Sequence, residues 1–430
     1  MRGKSIMNKK IKDILYAISP NSKMRFLNDK YLWLEKDIMV IASLMFNIET
    51  IFRMGKKIDQ IKIPISEETA ELCNLDKLKN EFMQLLNYVL MYDVEVIFEV
   101  DPEYSKFKRD REIEFNKCRN ICLFSGGIDS FSGIITCKKQ YKNIEGLFVA
   151  HGDQPRGVNI VTTLYKNTLE KIKIPIHTLY APTMKRYGYS QLRGFLYCMY
   201  GAIYMNLLKA DNLLVTECGP TMYQPKFSPF DSVTMTTHPY VLKKTKNIIE
   251  LFLRREVHLI TPFENLTKSE VFMNSPIKDQ FQFTHSCISL GTGRNCGHCY
   301  GCVVRRIGSI VADLKDAEYD TNPFTEDYQK GENLVSLARF SHDVLLKYDT
   351  MIFTSKENIF IYKKQRMFKR FALDTFTSIY ILKEKGFQTN PYIERLYQII
   401  INKLGVEKIK ERIENVRSGK FIPNFNKEIA

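Results

Sequence analysis

A glycine-rich segment between a strand-like run and a helix-like run is the most constraining feature of this sequence. Residues 121–124 are apolar and of strand length, residues 125–130 read Ser-Gly-Gly-Ile-Asp-Ser, and residues 131–139 resemble a helix. Gly126 and Gly127 permit backbone dihedral angles that other residues disfavour, and they allow an anion to approach the backbone closely. The first amides of the helix and the positive end of its dipole would face the same anion. The segment predicts a phosphate cradle. An ordinary tight turn is the alternative, because Ser, Gly and Asp favour turns.

The residue order decides which phosphate loop the segment resembles. No Lys follows the glycines, which excludes the loop of kinases and GTPases. The string instead resembles the PP-loop of ATP pyrophosphatases, which cleave ATP between its α and β phosphates. The resemblance implies that Asp129, Ser125 and Ser130 bind pyrophosphate and its Mg²⁺, and that Asp129 and Ser130 are catalytic. The nucleotide contacts it implies are Leu123, Phe124, Ser125, Gly126, Gly127, Ile128, Asp129, Ser130, His151 and Gly152.

Strand-like and helix-like segments alternate from residue 120 to about residue 275. This alternation predicts an α/β fold with a parallel sheet covered on both faces. Ligands of such sheets gather at the carboxyl ends of the strands. Residues 125–130, 151–153 and 181–183 each follow a predicted strand, so we expect them to line one crevice.

Two cations lie near the starts of predicted helices. Arg193 lies one turn inside a helix predicted at residues 190–210, where a cation opposes the helix dipole; it suits either a ligand carboxylate or phosphate, or plain surface exposure. Thr267 and Glu270 match a capping box, which explains both residues structurally. Lys268, at the first helical position, has no structural requirement. We therefore predict Arg193 and Lys268 as further catalytic residues.

A long loop containing Pro and Gly, residues 217–231, follows a predicted strand and is typical of a binding loop. Cys218 lies in this loop. Among the cysteines outside the four-cysteine cluster of the next paragraph, it is the one that could be a nucleophile. His238 lies just beyond the loop. A lone His is more often structural than functional, so both interpretations are kept.

Four cysteines are clustered near residue 300. They are separated by eight, two and two residues, with glycines that permit tight turns between them: Cys287, Cys296, Cys299 and Cys302. Four thiolates favour tetrahedral Zn²⁺ with no open position, hence a structural site. An iron–sulfur cluster is the stronger alternative, although the usual Cys-Pro is missing, and two disulfides are the weaker one. His285 and His298 could replace a ligand.

Residues 120–310 resemble QueC, the 7-cyano-7-deazaguanine synthase family. The resemblance rests on the glycine loop, on Thr267-Lys268-Ser269-Glu270, and on Cys296-Gly297-His298-Cys299-Tyr300-Gly301-Cys302, in that order. It implies a PP-loop fold, a structural zinc, and ATP-dependent activation of 7-carboxy-7-deazaguanine for reaction with an amine. Residues 151–153 and 217–220 differ from the family pattern.

The longer chain, with Thr-Thr-His-Pro at 236–239, resembles the QueC-like proteins of bacterial anti-phage systems (QatC and the type IV CBASS component). This second resemblance implies a partner protein as amine donor.

The resemblance covers less than half of the chain and suggests three parts. These are an N-terminal α/β extension (1–115), the QueC-like PP-loop domain with its zinc knuckle (116–311) and a helical C-terminal domain (312–430). Helices are expected in the last part at 333–347, 364–385 and 392–417.

The net charge of +15 suits anionic partners such as ATP or RNA, although a solvated Lys-rich surface explains it equally well. Neither the N-terminus nor the longest apolar stretch suits a signal peptide or a membrane span, so a cytoplasmic protein is expected.

Two other functions stay open at this point. The basic charge is compatible with a PP-loop enzyme that modifies tRNA, for which Cys218 would be the available thiol. A zinc-knuckle binding module with a vestigial ATP site is the non-enzymatic alternative, although the glycine loop keeps every residue that the chemistry requires. The identity of the amine, a homodimer and RNA binding are left undecided by the sequence.

Overall fold

The computed structural model describes residues 33–53, 59–101, 118–151, 155–181, 191–225, 236–287, 294–325, 332–348, 364–426 and 428–429. In chain order the elements are α1 (Trp33–Arg53), β1 (Gln60–Ile65), α2 (Glu67–Leu72), α3 (Leu75–Leu90), β2 (Glu95–Val100), β3 (Asn120–Leu123), α4 (Ile128–Gln140), β4 (Ile144–His151), α5 (Pro155–Leu164), β5 (Ile176–Ala181), α6 (Arg193–Leu207), β6 (Asn212–Leu214), α7 (Gly219–Tyr223), α8 (Pro239–Leu253), β7 (His258–Ile260), α9 (Lys268–Asn274), α10 (Tyr300–Ala312), α11 (Glu332–Leu346), α12 (Gln365–Glu384), α13 (Pro391–Leu404) and α14 (Val406–Arg417). Within these ranges, no helix has both the length and the apolar character needed to cross a bilayer.

The predicted parallel sheet is confirmed. Its five strands lie in the order β5-β4-β3-β6-β7, and every neighbouring pair is parallel. The chain runs outward from β3 through β4 to β5 and then returns to place β6 on the other side of β3. This reversal is a topological switch point, where the loops after two adjacent strands diverge and leave a crevice. The loops after β3 and β6 flank that crevice.

Apolar side chains cover both faces of the sheet, as expected for a sheet whose strands are buried on both sides. One cluster packs Phe131 of α4 and Leu164 of α5 against Phe148. The larger cluster joins the opposite face to both extensions, because Phe46 of α1 and Phe376 of α12 belong to it. The domain boundaries at 115 and 311 stay predictions, but the extensions share a core with the sheet.

The two N-terminal strands β1 and β2 form a separate parallel pair. At the other end, residues near the C-terminus return to the main sheet, where the amide of Ile429 donates to the carbonyl of Leu259 at 3.1 Å. The single helix expected at 392–417 was wrong. It is two helices, α13 and α14, which are separated at Gly405 with φ of +79°.

Replacing Gly405 with Ala is predicted to lower the free energy of unfolding by about 1 to 3 kcal/mol, because a side chain disfavours this backbone conformation. Urea denaturation of both proteins measures the difference. Lys403→Ala, on the exposed last turn of α13, is the control and should change stability by less than about 0.5 kcal/mol. Equal stability of Gly405→Ala and wild type would contradict the prediction.

Candidate active site at the carboxyl edge of the sheet

The glycine loop connects β3 to α4 and lies open at the crevice. Gly126 has φ of +77°, and a Cβ there would come within 2.9 Å of Ile160 Cγ2, so both conformation and space require glycine. Gly127 is the N-cap of α4. The helix therefore begins at Ile128 and not at residue 131, and Asp129 belongs to its first turn. The amide of Ile128 donates to the hydroxyl of Ser286 at 3.5 Å, and the following amides of this turn have no partner within the helix and can meet an anion.

Two serines fold the loop back on itself. The hydroxyl of Ser130 accepts a hydrogen bond from the amide of Ser125 at 3.1 Å and donates to the carbonyl of Gly127 at 3.1 Å. The amide of Gly127 donates to the hydroxyl of Ser125 at 3.3 Å. Ser125 is exposed, whereas Ser130 is buried beneath it. The loop is thus held in shape while its outer rim stays accessible.

The structure brings the predicted residues Asp129 and Lys268 together. The Lys268 ammonium lies 2.5 Å from Asp129 Oδ2, with both side chains almost fully buried. Burial disfavours the ammonium, but attraction to Asp129 and neighbouring groups outweighs it and raises the pKa of Lys268. Asp129 Oδ1 is buried and has no hydrogen-bond partner among the described residues. An orphaned carboxylate oxygen beside a phosphate cradle fits a Mg²⁺ ligand.

Glu217 begins the predicted binding loop, but sequence reasoning did not select it as a candidate site residue. It follows β6, and the amide of the next residue, Cys218, lies 3.4 Å from Asp129 Oδ2. Burial and then repulsion from Asp129 raise the pKa of Glu217 to about 7, while attraction to Lys268 opposes the shift. The sequence signal that could have identified Glu217 is its position as an acidic residue soon after a predicted strand. Only the structure shows that this strand, β6, lies at the switch point.

Two residues that sequence reasoning left ambiguous are structural. The thiol of Cys218 is fully buried, and burial raises its pKa to about 12, which disfavours a nucleophilic thiolate. His238 is the N-cap of α8, where its Nδ1 accepts a hydrogen bond from the amide of Tyr240 at 3.3 Å. Burial lowers the pKa of His238 to about 4, so the ring is neutral near pH 7.

A cavity of about 50 Å³ lies beside the loop, between the ends of β3 and β6 and the start of α6. Its lining residues include Ser125, Ser130, Tyr197, Thr216, Glu217 and Thr237. Small-molecule sites usually measure about 300 Å³ or more, so a nucleotide would lie mostly over the exposed rim of the loop.

The other predicted contacts lie around this cavity. Arg193 is the first residue of α6 and not one turn inside it; it is half-buried, and its charge reaches Glu217. His151 ends β4, and its Nε2 lies 2.9 Å from the hydroxyl of Tyr197, which lines the cavity. Nucleotide contact by His151 stays a prediction. Gly152 lies outside the described residues.

The four predicted metal ligands converge. The sulfur atoms of Cys287, Cys296, Cys299 and Cys302 lie within 4.8 Å of one another, and two of the pairs are 3.9 Å apart. Four sulfurs at about 2.3 Å from a tetrahedral Zn²⁺ would be roughly 3.8 Å apart. Backbone amides donate to three of these sulfurs at 3.3 to 3.4 Å, which favours thiolates. The cluster is consistent with a zinc knuckle.

The knuckle supports the glycine loop directly. The amide of His285 donates to the carbonyl of Gly126 at 3.0 Å, two residues before the ligand Cys287. Arg305, fully buried on α10, holds this segment through the carbonyl of Thr284 at 2.9 Å and is neutralised by Asp316 at 2.6 Å. The segment that leads into Cys287 therefore packs directly against the glycine loop.

The parallel sheet, the glycine loop at its switch point and the cysteine knuckle together define an α/β protein with a PP-loop fold. Residues 236–312 match the family model described as queuosine biosynthesis protein QueC; this range includes Lys268 and all four clustered cysteines. The chain is also similar to the 7-cyano-7-deazaguanine synthases of two Leptospira interrogans serovars, copenhageni and Lai. Each is 24% identical over 219 residues, which covers 44% of this chain and 85% of the relative.

The chain is therefore similar to the QueC family over part of its length. This similarity supports an enzyme of the synthase or ligase type, with nucleotide-dependent carboxylate activation and C–N bond formation as its class of chemistry. The two extensions account for most of the length outside the match.

Replacing Cys299 with Ser is predicted to remove the zinc and, because the knuckle supports Gly126, to weaken pyrophosphate binding at least about tenfold. Elemental analysis measures zinc and iron per chain, and calorimetry measures pyrophosphate binding. Cys73→Ala removes a buried thiol outside the cluster and should leave one zinc per chain. Iron in place of zinc would instead support an iron–sulfur cluster.

Glu217→Gln is predicted to change how stability depends on pH. Between about pH 4.5 and 7 the folded wild type binds more protons than the unfolded chain, so its stability decreases as pH rises. Glutamine cannot lose that proton, so the variant should be more stable than wild type above pH 7, by about 1 to 3 kcal/mol. Denaturation of the nucleotide-free, magnesium-free protein across this range measures the effect. Glu256→Gln, an exposed carboxyl, is the control; a Glu217→Gln curve that follows the wild type would contradict the prediction.

Proposed function

We propose that this protein activates a 7-carboxy-7-deazaguanine-like carboxylate with ATP and then transfers the acyl group to an amine, in the cytoplasm. The observation that carries the proposal is the open glycine loop whose first helical turn holds Asp129 against Lys268. The names of the curated relatives supply the deazaguanine class of compound, and the resemblance of the sequence to QueC supplies the acid. The geometry supports a site for the leaving pyrophosphate.

The first step forms an acyl-adenylate. A carboxylate oxygen of the substrate attacks the α-phosphorus of ATP, and the bond from that phosphorus to the oxygen bridging to the β-phosphate breaks. The departing pyrophosphate would accept hydrogen bonds from the first amides of α4 and from the hydroxyl of Ser125. Lys268 holds the Asp129 carboxylate in place by its charge.

Mg²⁺, when bound, would supply positive charge to the pyrophosphate oxygens. Asp129 Oδ1 is the oxygen available to hold it, and Glu217 is a further carboxyl that interacts with Asp129. In the second step the amine nitrogen attacks the acyl carbon, the bond to the AMP oxygen breaks, and the nitrogen loses a proton. Glu217 could accept that proton near pH 7, since burial raises its pKa to about 7.

The amine distinguishes two versions of the proposal. Ammonia would give an amide, and a second activation would dehydrate the amide to a nitrile. A protein amine would give a stable conjugate, in keeping with the resemblance to QueC-like proteins of anti-phage systems. Incubation with ATP, the deazapurine acid and either ammonium or a peptide with a free N-terminus, followed by mass spectrometry of the products, separates them.

Asp129→Asn is predicted to reduce AMP formation from ATP and the deazapurine acid by about 100-fold or more, because it removes the charge that Lys268 and Mg²⁺ share. Chromatography of AMP and pyrophosphate measures the rate. Asp211→Asn changes a half-exposed Asp that pairs with Arg119 and Arg255 at the amino end of β6, and should retain wild-type turnover. Undiminished AMP formation by Asp129→Asn, or none by the wild type with this acid, would refute the proposal.

A further inference from the structure

The C-terminal helices hold the turn of α9 that carries Lys268. Asp374 of α12 accepts hydrogen bonds at 2.7 Å from both the Thr267 and the Ser269 hydroxyls. These two residues lie on either side of Lys268 in the chain. Asp374 is 1% exposed, so these bonds are made away from water, where they are stronger and more costly to break.

Arg412 of α14 also contacts the start of α9. Its Nε donates to Asp374 Oδ1 at 2.7 Å, its Nη1 lies 2.8 Å from Glu270 Oε1, and its Nη2 donates to the Thr267 hydroxyl at 3.1 Å. Arg370 of α12 donates to the same Glu270 oxygen at 2.7 Å. We call Asp374, Arg412, Arg370 and Glu270, with the hydroxyls of Thr267 and Ser269, the α9 latch.

The charges of the latch balance among themselves. Its two carboxylates, Asp374 and Glu270, face two guanidiniums, Arg412 and Arg370. The ammonium of Lys268 is therefore not needed inside the latch and reaches the other way, to Asp129. The Lys268 stem is also confined, because a Cβ at Gly308 of α10 would come within 2.8 Å of Lys268 Cγ.

A capping box alone would form this helix start with Thr267 and Glu270. The latch adds buried ionic groups, whose desolvation is costly and which apolar side chains could replace if only helix packing were required. Its contacts concentrate on residues 267, 269 and 270, the chain neighbours of the lysine that pairs with Asp129.

We propose that Asp374 and Arg412 are positioning residues: they fix the start of α9 so that Lys268 stays against Asp129. In this proposal the C-terminal helices contribute to the active site, because they position one of its residues. The effect on turnover rests on the proposed function, whereas the effect on the position of Lys268 does not.

Reductive methylation with isotopically labelled formaldehyde, read by mass spectrometry, tests the position of Lys268 in the full-length protein. Lys244 on α8 is the internal reference, because it is similarly buried and pairs with Glu81 far from the latch. In Asp374→Asn and Arg412→Lys, we expect Lys268 labelling to rise about tenfold or more relative to Lys244. Glu394→Gln breaks a half-buried pair with Lys383 between α12 and α13 and should leave the ratio unchanged.

Two results would overturn the proposal. In the first, Lys268 stays as protected as in wild type in both latch variants. In the second, Lys268 and Lys244 labelling rise together in both, which would mean that the latch maintains the whole fold and not the position of Lys268.

Turnover provides the second readout. If the latch acts through Lys268, adding Asp374→Asn to Lys268→Met should reduce AMP formation no further than Lys268→Met alone, whereas an independent structural effect would add to it. If the wild type forms no AMP but Lys268 labelling still rises in the latch variants, the proposed function is refuted and the positioning role of the latch is retained.

Discussion

The site depends on one buried ion pair. Lys268 and Asp129 come from different elements, α9 and α4, and meet where water is excluded. Removing one partner of such a pair leaves an uncompensated buried charge, at a cost of about 3 to 5 kcal/mol. The pair therefore joins the first turn of α4, next to the glycine loop, to α9.

Each cationic residue of the site is supported by an extension of the chain. At the N-terminus of α6, the Glu49 carboxylate of α1 accepts hydrogen bonds from the amides of Gln191 and Leu192 at 2.6 and 2.9 Å. A carboxylate there complements the helix dipole and offsets the unfavourable position of Arg193. The latch from α12 and α14 acts similarly on α9. In this role, Arg370 and Arg412 of the C-terminal helices are committed to carboxylates.

The cysteine knuckle and the glycine loop are distant in sequence but act as one unit. The segment that delivers Cys287 also donates the His285 amide to Gly126, and Tyr300, next to Cys299, donates its hydroxyl to the Pro220 carbonyl at 2.8 Å. A closed four-thiolate site suits this role, because it offers rigidity and no reactive position. Cys218 is fully buried, which disfavours a role for its thiol as a nucleophile.

The sequence by itself determined the local features, since each depends on neighbouring residues: the glycine loop, the capping box at Thr267 and the cysteine spacing. The parallel sheet also followed from alternating segments. Helix starts were misplaced by up to a turn, because Gly127 and Leu192 act as N-caps without a capping side-chain bond. The break at Gly405 was missed although glycine is itself a signal for the end of a helix. Only the tertiary structure decided that Lys268 meets Asp129, that Glu217 lies beside them, and that Asp374 and Arg412 hold α9. These contacts join residues about 90 to 145 positions apart, and their energies depend on burial, which no local pattern specifies.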